Sequence, residues 1–194
     1  MSKPKLGYLL FDLPSNHEIE NSLATECDTI QSIIHNRGQR ARVKRIRVAS
    51  KERFLTYPTY RYGVQFVHLA CHGGKHGVGM LGESVSWAAV AEQISKHLHP
   101  LSGNAQRVIC FSCCHSYAGY KATQSTLKQY FTGAYHFAEE KVPFSTAITT
   151  WTMFYLKKKL ANPHEGIAKA INTFMVKRFC NFEIIKPVCA VHPG

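Results

Sequence analysis

Two apolar stretches decide the fold: VQFVHLAC at residues 64–71 and RVICFSC at residues 107–113. Both are rich in β-branched, aromatic and cysteine residues and alternate little with polar ones, which is typical of strands buried on both faces of a parallel sheet. Segments with helical spacing of apolar residues lie between the predicted strands. We therefore predict an α/β fold with a mostly parallel sheet of about six strands.

The other predicted elements continue this alternation along one domain that spans residues 1–194. The first strand is KLGYLLFD at residues 5–12, and Ser15 with Glu18 forms a capping-box pattern at the start of the first helix. Ser86 and Asn162 are predicted N-caps of two later helices. Further strands are predicted over residues 41–50, 132–138 and 182–191, and further helices over residues 121–131 and from residue 145.

Composition excludes two protein classes. Hydrophobic residues make up 45% and charged residues 19% of the 194 residues, which is ordinary globular usage and argues against disorder. No run approaches the ~18 apolar residues that a membrane span requires. The start MSKPKLGYLLFDLPSN is interpreted as a first strand and not as a signal peptide, because Gly7 and Asp12 interrupt its apolar part.

The net charge is +12, because 24 lysines and arginines stand against 12 carboxylates. Part of the excess lies in RGQRARVKRIR at residues 37–47. Such a balance favours an acidic partner, and nucleic acid or an acidic protein could bind this surface. The alternative is that these cations are a solvated strand edge without a partner.

Cysteine usage indicates a reducing compartment. The seven cysteines are an odd number and mostly lie within apolar runs, so we expect free thiols in the cytoplasm and no disulfide framework. A zinc site is not expected, because the adjacent residues Cys113 and Cys114 would point to opposite faces of a strand. We predict no metal and no organic cofactor.

Reactive side chains follow both buried strands. His72 and Gly73 end the first, and Cys113, Cys114 and His115 end the second. Ligand crevices of open parallel sheets lie at the carboxyl ends of the strands, so we expect these residues to meet there as a Cys/His dyad. Histidine would take the thiol proton, the thiolate would attack an acyl carbon, and the Gly73 N–H would stabilise the oxyanion.

Five glycines between residues 73 and 82 predict a mobile loop after the first buried strand. His76 lies in this loop and is interpreted as a surface residue. Either reactive motif alone is common in ordinary cores. Their order, on successive buried strands separated by a glycine loop and one helix, favours catalysis.

VHLACHGG at residues 67–74 and VICFSCCHS at residues 108–116 resemble the CHAT domain, a bacterial branch of the caspase-like (clan CD) cysteine peptidases. That family has a strand ending H-x-x-x-H-G and a later strand ending L-S-x-C-E-[ST]. The resemblance implies a three-layer αβα sandwich, with Cys114 as the nucleophile and His72 as its partner. It also implies that the backbone N–H groups of Gly73 and Cys114 form the oxyanion hole. Cys113, one residue earlier, remains the alternative nucleophile.

Substrate choice is predicted from the loop after the first strand, which in caspase-like peptidases helps to build the pocket before the scissile bond. Asp12 in this loop would select lysine or arginine. The alternative is a solvated carboxylate that caps the following helix.

The function predicted from the resemblance is a cytoplasmic cysteine endopeptidase that cleaves a protein partner. Relatives of this type work in bacterial defence or cell-death systems, where sensing modules control them, so a regulatory partner protein is expected here. The alternative function is a catalytically silent caspase-like module that binds nucleic acid or an acidic protein through its basic surface.

Overall fold

A computed structural model describes residues 7–15, 17–36, 42–158, 164–175 and 180–185. Fourteen elements follow one another in these ranges: β1 (Gly7–Leu13), α1 (His17–Asn36), β2 (Arg42–Arg47), α2 (Lys51–Leu55), β3 (Phe66–Gly73), β4 (Gly77–Met80), β5 (Glu83–Ser86), α3 (Trp87–Lys96), β6 (Val108–Ser112), α4 (Ser116–Leu127), β7 (Gly133–Phe137), α5 (Phe144–Lys157), α6 (His164–Phe174) and β8 (Cys180–Ile184). The predicted N-cap Asn162 lies outside the described residues.

The central sheet is mostly parallel, as predicted. Its six main strands follow the order β2-β1-β3-β6-β7-β8, and every pair along this path is parallel except β7 with β8. The two stretches that decided the sequence analysis become β3 and β6, which pair directly from Phe66↔Val108 to Ala70↔Ser112.

Helices cover both faces of this sheet and produce three layers. Alternate residues of β1 show the division, because Leu9 and Phe11 lie in the core on one face, and Tyr8 and Leu10 lie in the core on the other. The first core includes residues of α2, α3 and α4, and the second includes residues of α1, α5 and α6. Burial of each of these large side chains contributes about 1.5–3 kcal/mol. Within the described ranges, no helix is both long and apolar enough to cross a bilayer.

The glycine-rich stretch after β3 differs from the predicted loop, because it folds into an antiparallel extension of the sheet. His72 pairs with Gly79 and Gly73 with Val78, and β4 then pairs with β5. Gly77 allows this close approach, since a Cβ at this position would lie 2.0 Å from the Val85 carbonyl oxygen. Ser86 ends the hairpin and caps α3 as predicted, accepting a hydrogen bond from the Ala89 N–H at 3.3 Å.

The direction of chain growth reverses between β1 and β3. From β1 the chain first adds β2 on one side, and it then crosses to add β3, β6 and β7 on the other. The helix after β1 packs on one face of the sheet and the helix after the β3 hairpin packs on the other, and open parallel sheets bind their ligands in the crevice at such a switch point.

Candidate active site

His72 and Cys114 lie at corresponding ends of adjacent strands. The parallel register of β3 and β6 extends to Ala70↔Ser112, and each of the two reactive residues stands two positions further along its chain. The sheet order therefore brings together the two motifs that the sequence predicted to meet, although they are 42 residues apart in the chain.

Gly73 is in direct contact with the cysteine segment. A Cβ placed on Gly73 would lie 2.2 Å from the Cys114 carbonyl oxygen, 2.9 Å from the Cys113 Sγ and 3.0 Å from the Cys113 Cβ. No side chain larger than hydrogen fits at this position without movement of the neighbouring backbone. The two motifs therefore pack closely at this point, which accounts for glycine after His72.

The side chain of His72 is exposed to solvent. Its imidazole lies beside Gly79 and near the loop after β1, since a Cβ on Gly79 would be 3.7 Å from His72 Cδ2 and 3.9 Å from Ser15 Cβ. Among the described residues, the imidazole has no hydrogen-bond or ion-pair partner. In particular, it makes no hydrogen bond to the thiol of Cys114. Hydrogen bonds between catalytic groups are often long or poorly aligned before substrate binds.

Cys114 lies half-buried in the turn between β6 and α4. The Val142 N–H lies 3.4 Å from its Sγ, and the Val142 carbonyl lies at 3.9 Å. Val142 therefore contacts the sulfur through both polar groups of its backbone. The Cys114 N–H donates no hydrogen bond to any described residue, so it is free to bind an oxyanion.

His115 holds the turn that presents Cys114. It adopts a left-handed conformation with φ 51°, and its N–H donates to the Glu140 carbonyl at 2.6 Å. Its Nδ1 lies 3.9 Å from the Glu140 carboxylate. These contacts, together with that of Val142, connect the segment after β7 to residues 113–115, the turn between β6 and α4 that we call the nucleophile turn after the predicted role of Cys114.

Cys113 faces the core and not the crevice. Its side chain is 5% exposed and lies in the same hydrophobic cluster as Cys71. The pKa of Cys71 is raised well above its ordinary value, mainly by burial and secondly by a hydrogen bond with the Cys113 thiol. Among the described cysteines Cys114 is the one that is not buried, so the geometry favours Cys114 over Cys113 as the nucleophile.

His68 lies beneath the site as a buried, hydrogen-bonded histidine, as expected for a strand-interior residue. Its Nε2 lies 2.6 Å from the Glu26 carboxylate of α1, and both side chains are 1% exposed or less. The ring also packs edge-on against Trp151. The pair joins α1, β3 and α5 below the strand end that carries His72.

Asp12 does not fit the sequence prediction of a substrate pocket. Its carboxylate is fully buried at the end of β1 and accepts hydrogen bonds from Arg45 Nε, at 3.0 Å, and from the Arg45 terminal nitrogen. Arg47 lies 3.6 Å away. Burial raises the pKa of Asp12, and the hydrogen bond and charge of Arg45 oppose that rise. A substrate cation would have to displace Arg45, so we assign Asp12 a structural role between β1 and β2.

A cavity of about 710 Å³ opens beside His72. It is lined by residues of α2, of the β3–β4 turn, of the hairpin and of α3: Lys51, Leu55, His72, Gly73, Gly74, Lys75, His76, Gly77, Val78, Gly79, Ser84, Val85, Ser86 and Ala89. The cavity was not predicted from the sequence, because its wall is formed by the hairpin that the glycine-rich pattern indicated as a loop. The described residues contain no cluster of three or more His, Cys, Asp or Glu side chains that could bind a metal ion.

Sequence comparison identifies no relative: no protein-family model and no curated protein matches the chain. Structure comparison, in contrast, finds proteins of similar fold. The fold is similar to that of a secreted C11 cysteine protease from Bacteroides thetaiotaomicron, called iotapain, with a TM-score of 0.55 and 14% identity. The match covers 89% of this chain but 63% of that one, so this chain spans less than two thirds of the protease's length. The chain therefore has a caspase-like α/β fold with a mostly parallel central sheet, as expected.

Proposed function

We propose that the chain is a cysteine endopeptidase of the CHAT type that cleaves a protein partner in the bacterial cytoplasm, within a defence or cell-death system and under the control of a regulatory protein. The observation that carries the proposal is the contact of Gly73 with Cys114 at the ends of adjacent strands. This contact lies beside His72, which has no partner among the described residues, and next to the switch point between β1 and β3 of a caspase-like sheet.

The chemistry follows from these groups without a metal or an organic cofactor. His72 accepts the proton of the Cys114 thiol, and the thiolate Sγ attacks the peptide carbonyl carbon. The oxyanion accepts hydrogen bonds from the backbone N–H groups of Gly73 and Cys114. His72 then protonates the leaving amine, and water hydrolyses the thioester that remains on Cys114.

Thiol labelling and peptide hydrolysis test this proposal together. We expect iodoacetamide to label Cys114 first, because the other described cysteines are buried, and we expect His72→Ala to slow that labelling. Cys114→Ala and His72→Ala should each abolish hydrolysis, and the double variant should be no worse, since the two residues act as one unit.

Cys113→Ala is the matched control, because it removes the neighbouring thiol from the core side of the same turn. It should retain both labelling and hydrolysis. Loss of hydrolysis in Cys113→Ala but not in Cys114→Ala would move the nucleophile by one residue. Absence of hydrolysis across a peptide library, with labelling that does not depend on His72, would refute the peptidase.

The basic edge of the sheet favours a second candidate function, which is binding of nucleic acid or an acidic protein without catalysis. Strand β2 is an edge strand, and Arg42, Lys44 and Arg47 are exposed along it. Phosphate contacts would make binding fall steeply with salt. Affinity for a DNA or RNA oligonucleotide that falls with salt, weakens in Lys44→Gln and ignores Cys114→Ala would support this candidate.

A further inference from the structure

The cavity beside His72 carries cations and no carboxylates. Lys51 of α2 and Lys75 of the β3–β4 turn line it, together with His76. Within the described part of the chain, neither lysine has an ion-pair partner. Glu52 of α2 and Glu83 of β5 each lie next to a lining residue but do not line the cavity themselves. The two ammonium groups are therefore not neutralised by lining residues.

The turn that presents Lys75 is fixed in place. The Gly74 N–H donates to the Gly77 carbonyl at 2.8 Å, and the Gly74 carbonyl accepts from the buried Trp87 indole at 3.0 Å. The Trp87 N–H in turn donates to the His76 carbonyl at 3.3 Å. The backbone of the turn is thus ordered before any ligand binds, which lowers the entropic cost of recognition.

The position of the cavity relates it to one half of a substrate. His72 lines the cavity, and Cys114 does not. In the proposed mechanism His72 gives its proton to the leaving amine, so the part of the peptide that follows the cut lies on the His72 side. A residue shortly after the scissile bond would then reach the cavity that holds Lys51 and Lys75.

Resting on the proposed function, we infer that this cavity is a specificity site for an acidic residue, aspartate or glutamate, on the carboxyl-terminal side of the cleaved bond. Among its apolar lining residues Leu55 is exposed and would contact the stem of the side chain. The lysines would bind the carboxylate. Ammonium–carboxylate pairs of this partly exposed kind are worth up to about fivefold each at low salt.

The test uses pairs of quenched peptides that differ only by Glu or Gln at each of the first two positions after the cut. We expect the protein to favour the Glu peptide at one of these positions by about three- to tenfold in kcat/KM. The preference should shrink in 0.5 M NaCl, by screening. The double variant Lys51→Gln, Lys75→Gln should bring the ratio close to one.

Lys121→Gln on α4 is the matched control, because Lys121 is exposed, does not line the cavity and removes the same charge. It should keep both the rate and the Glu/Gln ratio. A wild-type ratio of one or below, or a ratio that the lysine double variant leaves intact, would overturn the inference while leaving the peptidase in place.

A binding measurement separates failure of this inference from failure of the proposed function. Fluorescence anisotropy of labelled Glu-rich and Gln-rich hexapeptides on the wild-type protein needs no hydrolysis. Stronger binding of the Glu-rich peptide that is lost in the lysine double variant but kept in Lys121→Gln supports the cavity as an acidic site. Equal binding of the two peptides overturns it, whatever the result of the hydrolysis assay.

Discussion

Gly73→Ala should damage both the fold and the candidate site, because the space beside this residue is occupied by the nucleophile turn. The new Cβ would lie 2.2 Å from the Cys114 carbonyl oxygen, about 1.2 Å short of the 3.4 Å at which ordinary contact begins. The obstacle is backbone, so it cannot be relieved by a change of rotamer. Overpacking of this kind costs about 1–3 kcal/mol. A shift of Cys114 by about 1 Å would lower the rate of hydrolysis about 100-fold.

Gly63→Ala is the control, since a Cβ at Gly63 meets nothing within 4 Å. Both variants restrict the unfolded chain equally, which by itself stabilises by about 0.4–1 kcal/mol. Urea unfolding followed by the fluorescence of the buried Trp87 and Trp151 measures the difference in unfolding free energy, and iodoacetamide labelling measures the reactivity of Cys114. If Gly73→Ala unfolds at the same urea concentration as Gly63→Ala and labels at the wild-type rate, the close contact is not present in solution.

Two further predictions concern buried polar side chains. Glu26→Ala leaves the His68 Nε2 without its partner and should lower the unfolding free energy by about 1–3 kcal/mol, whereas the exposed Glu52→Ala should not; equal urea midpoints for the two variants would contradict this. Burial lowers the pKa of His97 below its usual 6.5, so the unfolded chain binds a proton that the folded chain excludes, and stability should fall as pH drops below about 6.5. His97→Phe should reduce this fall between pH 7.5 and 5.5, and urea midpoints that decline as in the wild type would refute the assignment.

The parts of the fold that the sequence predicted are those with a strong local signal. The strands β3 and β6 are continuous apolar runs, and residues with unusual chemistry follow each of them directly, at His72 and at Cys114. Because β3 and β6 are parallel, the residues that follow them lie at the same end of the sheet, and this could be predicted from the sequence. The burial of His68 was also predictable, because it lies in the interior of an apolar strand.

The hairpin after β3 could not be predicted, because its strands are four residues each and include Gly77 and Gly79. Such short segments carry neither alternation nor β-branched runs, and their pairing depends on the end of β3. The contact of Val142 with Cys114 joins residues 28 apart in the chain, and no local pattern announces it. Both features emerge from tertiary packing.

One long-range ion pair removes the predicted preference for a cation before the cut and leaves the proposed preference for an acidic residue after it. The sequence placed a carboxylate, Asp12, in a loop near the site, and a local carboxylate should outweigh the diffuse field of a protein with net charge +12. In the structure β1 and β2 pair in parallel, which puts Arg45 beside Asp12 and engages that carboxylate within the chain. The local groups that remain open to a ligand are then Lys51 and Lys75. The local charge and the overall charge now have the same sign, so both would attract the proposed acidic residue after the cut, and screening by salt should weaken that preference without reversing it.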